Sequence, residues 1–499
     1  MSELADNPVN LAEAISHHAR TKAEETALVD GDRALSYGKL DRLVRHGAAH
    51  LRSLGIGAGD AVAICLGDNA DHVIAFLSAA RLGAVSVPID WRAPPTERTR
   101  IAIGLGVKLA LVEGGAPAVA DVPSFAVDAR WYAEAERQDA TQSFPSEPDA
   151  PLMIGLTSGT TGTVKGMLVT HRQMHARTIP FDAILPPGPH RYLSASPLAF
   201  SAGRGYCLTH LIRGHSVVLH PPLFAADEYV ESVNRAQATV GFVVPTILRA
   251  LLALPEATGP LLPSLRALIC AGAPTHAEEK RTALRRLTPY FHEIYGTVGT
   301  GPITVLGPRD IPKHAESAGR PHEVWQIQIV DETDHALLKG AAGRLRVRGP
   351  GAAQRLEAGS AAAGEAVRDG WYYTGDIAAL DDAGFLHLKG RASDMILRGG
   401  SNIYPDEVEA VLAEHAAVAD VAVVGRPSPQ LGEEVVAVVV ARGDVTADEL
   451  IAHCRRRLSA YKLPAEIVFV PELPRTSFGK PDRKRLASSM KERAAVRQS

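Results

Sequence analysis

Cysteine is scarce in this 499-residue chain: four residues, Cys65, Cys207, Cys270 and Cys454, stand far apart and form no C-x-x-C pair. That excludes a disulfide framework and a cysteine zinc site, and it suits a reducing cytoplasm. Excess charge of either sign is missing as well. The chain has 53 Lys+Arg against 56 Asp+Glu, a net −3, which argues against a nucleic-acid partner because such a footprint is basic. No apolar run approaches the roughly 18 residues of a membrane span. The start, MSELADNPVNLAEAISHHAR, lacks the basic segment and apolar stretch of a secretory signal. The pairs His292-Glu293 and His322-Glu323 belong to no H-E-x-x-H motif, so they complete no metal-ligand set. Aromatic residues are few, at 5%. A cytoplasmic protein without membrane span or nucleic-acid partner is expected.

Glycine (44) and proline (34) are plentiful, about a sixth of the chain together. The length suits two to four domains at roughly 100–200 residues each. Short β-branched runs alternate with helical patterns. Ala61–Gly67 reads as a strand, Val73–Leu82 as an amphipathic helix and Ala84–Ile89 as the next strand. Leu109–Val112, Leu152–Leu156, Val217–Leu219, Val240–Val244 and Leu268–Cys270 read as further strands. Repeated βα units predict largely parallel sheets covered by helices. Val324–Val330 and Gly343–Val347 alternate instead, which predicts antiparallel strands in a small barrel-like part. The end of the chain reads as a separate α+β module. It has a helix from Pro405, strands Val418–Val424 and Val435–Val440, a helix behind the capping box Thr446-x-x-Glu449, and a strand at Ile467–Val470. The fold class is therefore α/β, with a large N-terminal domain (1–392) and a smaller α+β C-terminal domain (393–499), the boundary lying at Gly390–Asp394.

The densest chemical signal follows the strand at 152–156: Thr157, Ser158, Gly159, Thr160, Thr161, Gly162, Thr163, Val164, Lys165. Glycines let backbone N–H groups approach an anion, and hydroxyls with a lysine complete a phosphate cradle. It is not a Walker loop, which needs glycine at the position of Val164, nor a G-x-S-x-G elbow, because Thr157 occupies the serine position. Further along stand Tyr372-Tyr373-Thr374-Gly375-Asp376, then Gly390-Arg391, Asp394, Gly399-Gly400, Asn402 to Pro405 and Glu407-Val408-Glu409. Pro474-Arg475-Thr476-Ser477-Phe478-Gly479-Lys480 closes the series. In these ordered motifs the chain resembles the adenylate-forming superfamily of acyl-CoA synthetases, stand-alone adenylation domains and luciferases, over nearly its whole length.

The resemblance implies a two-step reaction. A carboxylate attacks the α-phosphate of ATP to give an acyl-adenylate and pyrophosphate; CoA then displaces AMP. A mobile C-terminal domain turns about a hinge, Asp394, between the steps. Lys480 would neutralise charge in the first step. Arg398, Gly399, Gly400 and Ser401 would line the pantetheine tunnel in the second, with Lys462 near the phosphates of CoA. Asp376 would accept both ribose hydroxyls beside Arg391, and Gly272, Ala273 and Pro274 would flank adenine. Tyr295, Gly296 and Thr297 belong to the same AMP site. For the acyl pocket the resemblance offers Phe200, Gly203, Val244, Gly299 and Gly301. Arg204 reads as a surface residue, or else as a partner for a second polar group on the substrate. The run Arg455–Arg457 and the basic tail Arg483, Lys484, Arg485 read as solvated.

One motif departs from the pattern. Where the family has Y-G-x-T-E, this chain has Tyr295-Gly296-Thr297-Val298-Gly299, followed by Thr300-Gly301-Pro302. Val298 replaces a phosphate-contacting threonine, and Gly299 replaces the glutamate that holds Mg²⁺. No metal ligand is assigned, and Mg²⁺ is doubtful. Losing one such donor costs on the order of 10²–10³ in rate, and only ATP activation needs it. The expected function is thioester formation from an acyl-adenylate and CoA, with adenylation weak or lost and a separate adenylating enzyme as supplier. A complete two-step ligase using acid, ATP and CoA is the alternative. An adenylation enzyme loading a carrier protein and a non-catalytic binder of AMP are others.

Overall fold

The computed structural model describes residues 10–140, 147–156, 166–220, 225–353, 356–357, 366–399, 401–428, 430–475 and 481–498. The chain divides into two compact units. One is Met1–Ile327 with Val347–Tyr373; the other is Gln328–Arg346 with Thr374–Ser499.

The first unit is built on two sheets. The seven-stranded sheet runs, edge to edge, through 356–357, 166–170, 151–156, 85–88, 61–65, 109–113 and 124–127. Its five strands from 151–156 onward are parallel neighbours, and 166–170 returns antiparallel to 151–156. Side chains alternate between two cores, as the period of a strand requires. Val62 and Ile64 enter one, Ala63 and Cys65 the other. A parallel strand covered on both faces reads as an unbroken apolar run, which is why these segments were legible. The helix Ala70–Leu82 is capped by Asn69, whose side chain accepts the His72 N–H, and stops at Gly83 in the left-handed region. It is buried almost all round, with Asp71 and Leu82 half-exposed, so the helix expected over Val73–Leu82 is present but is not amphipathic. Helices on more than one side enclose it, so the apolar stripe widens to the whole surface.

The nine-stranded sheet carries the order 320–321, 301–306, 291–297, 267–270, 240–243, 191–194, 216–219, 26–30, 33–36. Its six central strands run parallel. The hairpin from 291–297 to 301–306 reverses direction at one end.

In the second unit, Thr374–Leu380 pairs antiparallel with Leu386–Arg391. The Thr374 hydroxyl donates to the Leu345 carbonyl, 3.3 Å away in the strand Gly343–Arg348. A further sheet has the order 401–403, 396–398, 432–441, 418–428, with 466–469 parallel to 432–441. The central strand Gly432–Ala441 is buried on both faces. Val435, Ala437 and Val439 meet the helices Pro405–Ala413 and Ala447–Arg455; Val436 and Val438 meet the C-terminal helix at Leu486 and Met490. The capping box of Thr446 and Glu449 forms as expected. No helix among the described residues is long and apolar enough to cross a membrane.

Candidate nucleotide and acyl site

Parallel strands bring their C-terminal ends to one edge, where α/β sheets bind ligands. Cys270 pairs with Val243 on one side and Glu293 on the other, so the strands 240–243 and 267–270 end level while 291–297 runs on to Thr297. That edge carries Val244, then Ala271 to Pro274, then Tyr295 to Thr297. Beside it, 191–194 leads into Ser196–Phe200. The sequence-predicted residues Gly272, Ala273, Pro274, Val244, Phe200, Tyr295, Gly296 and Thr297 therefore share one rim. Gly272 adopts φ +105, and a Cβ there would lie 3.8 Å from Val244 Cγ1. Gly203 packs directly on the segment that precedes Phe200. A Cβ on it would fall 2.3 Å from the Pro197 carbonyl oxygen, so its glycine lets the helix Ser201–Ile212 close on that segment.

The strands 151–156 and 166–170 meet at the pair Leu156–Gly166, which anchors both ends of the phosphate-loop sequence. Gly155, at its root, faces Val298: a Cβ there would stand 3.1 Å from Val298 Cγ1. Thr157, Ser158, Gly159, Thr160, Thr161, Gly162 and Lys165 themselves lie outside the described residues, as do Gly400 and Lys480.

The turn at 297–301 is closed from within. The Thr297 N–H donates to Thr300 Oγ1 at 3.0 Å, and the Thr300 hydroxyl donates to the Gly301 carbonyl at 2.8 Å. Gly296 must lack a side chain, because a Cβ would sit 2.1 Å from the Gly301 carbonyl oxygen. At Gly299 a Cβ would lie 2.5 Å from Tyr372 Cζ and 2.6 Å from its hydroxyl oxygen. The buried Tyr372 ring thus occupies the space into which a metal-binding carboxylate would grow. The turn offers Mg²⁺ no carboxylate at this position, so no step is assigned to that ion here. Among the described residues no group of three or more His, Cys, Asp or Glu forms a metal site.

In the second unit, Asp376 and Arg391 face each other across the hairpin, Arg391 Nε lying 2.8 Å from Asp376 Oδ1. Asp376 is 7% exposed, and its N–H is held by the Thr374 hydroxyl at 3.1 Å. Arg391 also donates to the Thr374 carbonyl, so both ribose-site candidates are oriented by one threonine. The hairpin Ile396–Arg398 to Ser401–Ile403 carries Gly399 at its tip with φ +56. Arg398 donates to the carbonyls of Tyr461 (2.7 Å) and Leu463 (3.4 Å), tying the expected tunnel loop to the segment holding Lys462. Lys462 is paired with Glu407 at 2.6 Å. Arg398, Gly399, Ser401 and Lys462 are thus brought together.

Two expectations are overturned. Arg204 is not a surface residue: it is 3% exposed, and its guanidinium donates to the carbonyls of Leu198 and Ala199 at 2.9 Å each. Its helix begins directly after that segment, so the side chain folds back on the helix start. Arg483 is not solvated tail either. It meets Asp394 (3.3 Å), Asp406 (2.5 Å) and Glu409 (2.7 Å). Burial pushes the Glu409 carboxyl up, against the pull of the Arg483 charge. The expected hinge residue Asp394 is therefore held by a residue just beyond the Lys480 motif. Arg455, Arg456 and Arg457 are exposed, as a solvated face requires.

Sequence reasoning missed Arg177, and it named Tyr372 within its motif without the approach to Gly299. Arg177 is buried and donates to the Val298 carbonyl at 3.2 Å and the Gly351 carbonyl at 3.0 Å. Its partners are main-chain carbonyls, which leave no trace in a side-chain pattern.

Residues 15–356 match the family model of the AMP-binding enzymes, and residues 407–480 that of the AMP-binding enzyme C-terminal domain. The chain is 34% identical over 494 residues to an indoleacetate–CoA ligase of Aromatoleum aromaticum, covering 95% of this chain and 96% of the relative. It is 33% identical over 481 residues to a feruloyl-CoA synthase of an Amycolatopsis species, covering 93% and 95%. The fold superposes on o-succinylbenzoate CoA synthetase of Bacillus subtilis in complex with its acyl-adenylate with TM-score 0.85 at 26% identity, covering 96% and 98%.

Proposed function

Because the chain belongs to the AMP-binding enzymes, as an acid–thiol ligase acting through an acyl-adenylate, we propose that it forms an acyl-CoA from a preformed acyl-adenylate and CoA, with adenylation weak or lost. The observation that carries this reading is the Tyr372 ring against Gly299. The carboxylate for Mg²⁺ is absent, and the space for it is filled. Adenylation develops charge on a triphosphate and draws on Lewis-acid stabilisation. Thioester formation begins from a phosphate monoanion and expels AMP, so it loses nothing by the change. In this scheme Asp376 and Arg391 hold the ribose, Gly272–Pro274 flank adenine, and the 297–301 turn meets the phosphate. Arg398, Gly399 and Ser401, with Gly400, line the thiol path. Lys462 and its neighbours meet the phosphates of CoA. Residues from 393 onward pivot at Asp394, with Lys480 retained from the adenylating ancestor. A separate adenylating enzyme in the same cytoplasm supplies the intermediate.

The acid is an aromatic carboxylic acid. Support comes from the indoleacetate and ferulate named for the two relatives, and from the half-buried Phe200 and Val244 on the rim.

Two assays decide the matter: arylacetic or hydroxycinnamic acid with Mg·ATP and CoA, and the corresponding synthetic acyl-AMP with CoA. Acyl-CoA should appear at least about a hundredfold faster in the second, the cost of one lost electrostatic contact. Equal turnover in both would make the chain a complete two-step ligase. Replacing CoA by a phosphopantetheinyl carrier protein tests the acceptor, and CoA should be preferred.

A further inference from the structure

We propose that Arg177 is a positioning residue of the phosphate-facing turn: a buried guanidinium on the helix side of the 297–301 turn that fixes this turn in place. This rests on the reading that the turn meets the adenylate phosphate.

The geometry is a bracket within the first unit. The short helix His171–Ala176 follows directly on strand Gly166–Thr170 and is fixed there by the capping box of Thr170 and Gln173. It sends two side chains to one segment: Gln173 Nε2 donates to the Ala352 carbonyl at 2.7 Å, and Arg177 Nε donates to the Gly351 carbonyl at 3.0 Å. That segment in turn holds the turn, the Ala353 N–H donating to the Gly299 carbonyl at 2.6 Å. Arg177 Nη1 closes the bracket on the Val298 carbonyl at 3.2 Å. Two glycines make room for its stem. A Cβ at Gly301 would lie 2.7 Å from Arg177 Cγ, and one at Gly351 would lie 3.1 Å from it. The remaining nitrogen, Nη2, is buried without a hydrogen-bond partner. Among the described residues no carboxylate forms an ion pair with this guanidinium. Burial lowers its pKa to about 10, so the charge persists at neutral pH. A buried cation without a counter-charge is costly, and an anion arriving at the turn offsets that cost. The positive charge here is built into the chain rather than brought by a metal.

The test is AMP binding to the full chain by calorimetry in the absence of Mg²⁺, with the AMP-induced shift in melting temperature as second readout. It requires no turnover, so failure of the ligase reading and failure of this one are distinguishable. Arg177→Met should bind AMP about tenfold more weakly or worse, the scale of a lost interaction with a charged group. Arg177→Lys keeps the charge but not the fork, and should recover part of the affinity. A folded Arg177→Met with wild-type AMP affinity overturns the proposal. If both variants fail to fold, Arg177→Gln decides, because it shortens the stem and removes the charge while keeping an amide donor for the carbonyls. Weakened AMP binding there supports the proposal, and unchanged binding overturns it.

Discussion

A glycine is defined by what occupies the place of its missing side chain. At Gly299 that neighbour is the Tyr372 ring, between 2.5 and 2.7 Å from a Cβ. Restoring the family's glutamate by Gly299→Glu should therefore destabilise the protein by about 1–3 kcal/mol through overpacking. It should not raise ATP-dependent turnover until Tyr372 is also shortened, as in a Gly299→Glu/Tyr372→Ala double variant. Thermal unfolding and the two half-reaction assays check each part; a single variant as stable as wild type would show that the ring yields freely. Asp376 has the opposite character, a side chain held in place before any ligand arrives. Asp376→Asn removes the charge-assisted pairing with Arg391 and should weaken AMP binding by roughly ten- to a hundredfold, with little effect on melting. The departure at Val298 and Gly299 could be read from sequence because its flanks, Tyr295-Gly296 and Gly301-Pro302, set the register. The ring that answers it lies more than seventy residues away in sequence, in contact through the fold alone. Nothing in a single sequence couples two such positions. Arg204 illustrates the same gap: a charged side chain reads as exposed unless backbone carbonyls receive it, and carbonyls are invisible to composition.

The elements were legible in proportion to how fully they are buried. Strands 61–65, 109–113 and 267–270 stand within a residue or two of their apolar runs, because both faces enter cores. The capping box at Thr446 was equally plain, since its two hydrogen bonds depend on residues three apart. The C-terminal helix Arg483–Gln498 was not, because its basic start reads as solvated tail. Its first residue joins the turn at Asp394 to Asp406 and Glu409 of the helix Pro405–Ala413. Arg483→Met leaves a half-buried carboxylate cluster without its cation, and should cost on the order of 1–3 kcal/mol near pH 8. The deficit should narrow toward pH 6. Glu409, already pushed upward by burial, then takes a proton and removes the unpaired charge. Melting curves of the variant and the parent at several pH values give the comparison; a deficit that does not change with pH would mean that Glu409 keeps its charge.

Across the whole molecule, several histidines are packed as neutral rings. Burial drives His72, His171 and His292 down to about 4 and His215 to about 3. His171 shows why: its Nδ1 accepts the Leu11 N–H at 2.9 Å, a bond that the protonated ring cannot make. For each, the unfolded chain binds a proton below about pH 6.5 that the folded chain refuses until about pH 4, or about pH 3 for His215. Stability is thus complete above pH 6.5 and falls through that window, by about 1.4 kcal/mol per pH unit for each such histidine. Urea unfolding between pH 7.5 and 5 should show this steep decline, and a flat profile would contradict the packing. The division of the chain has a practical corollary. Residues 343–346 of the strand Gly343–Arg348 belong to the second unit, where the Leu345 carbonyl receives the Thr374 hydroxyl. A fragment excised at 374 or at 393 leaves that strand behind. Cut at 374, it carries a bare row of backbone donors and acceptors, ready to recruit another chain. A truncation at 374 should therefore aggregate unless residues 328–346 travel with it.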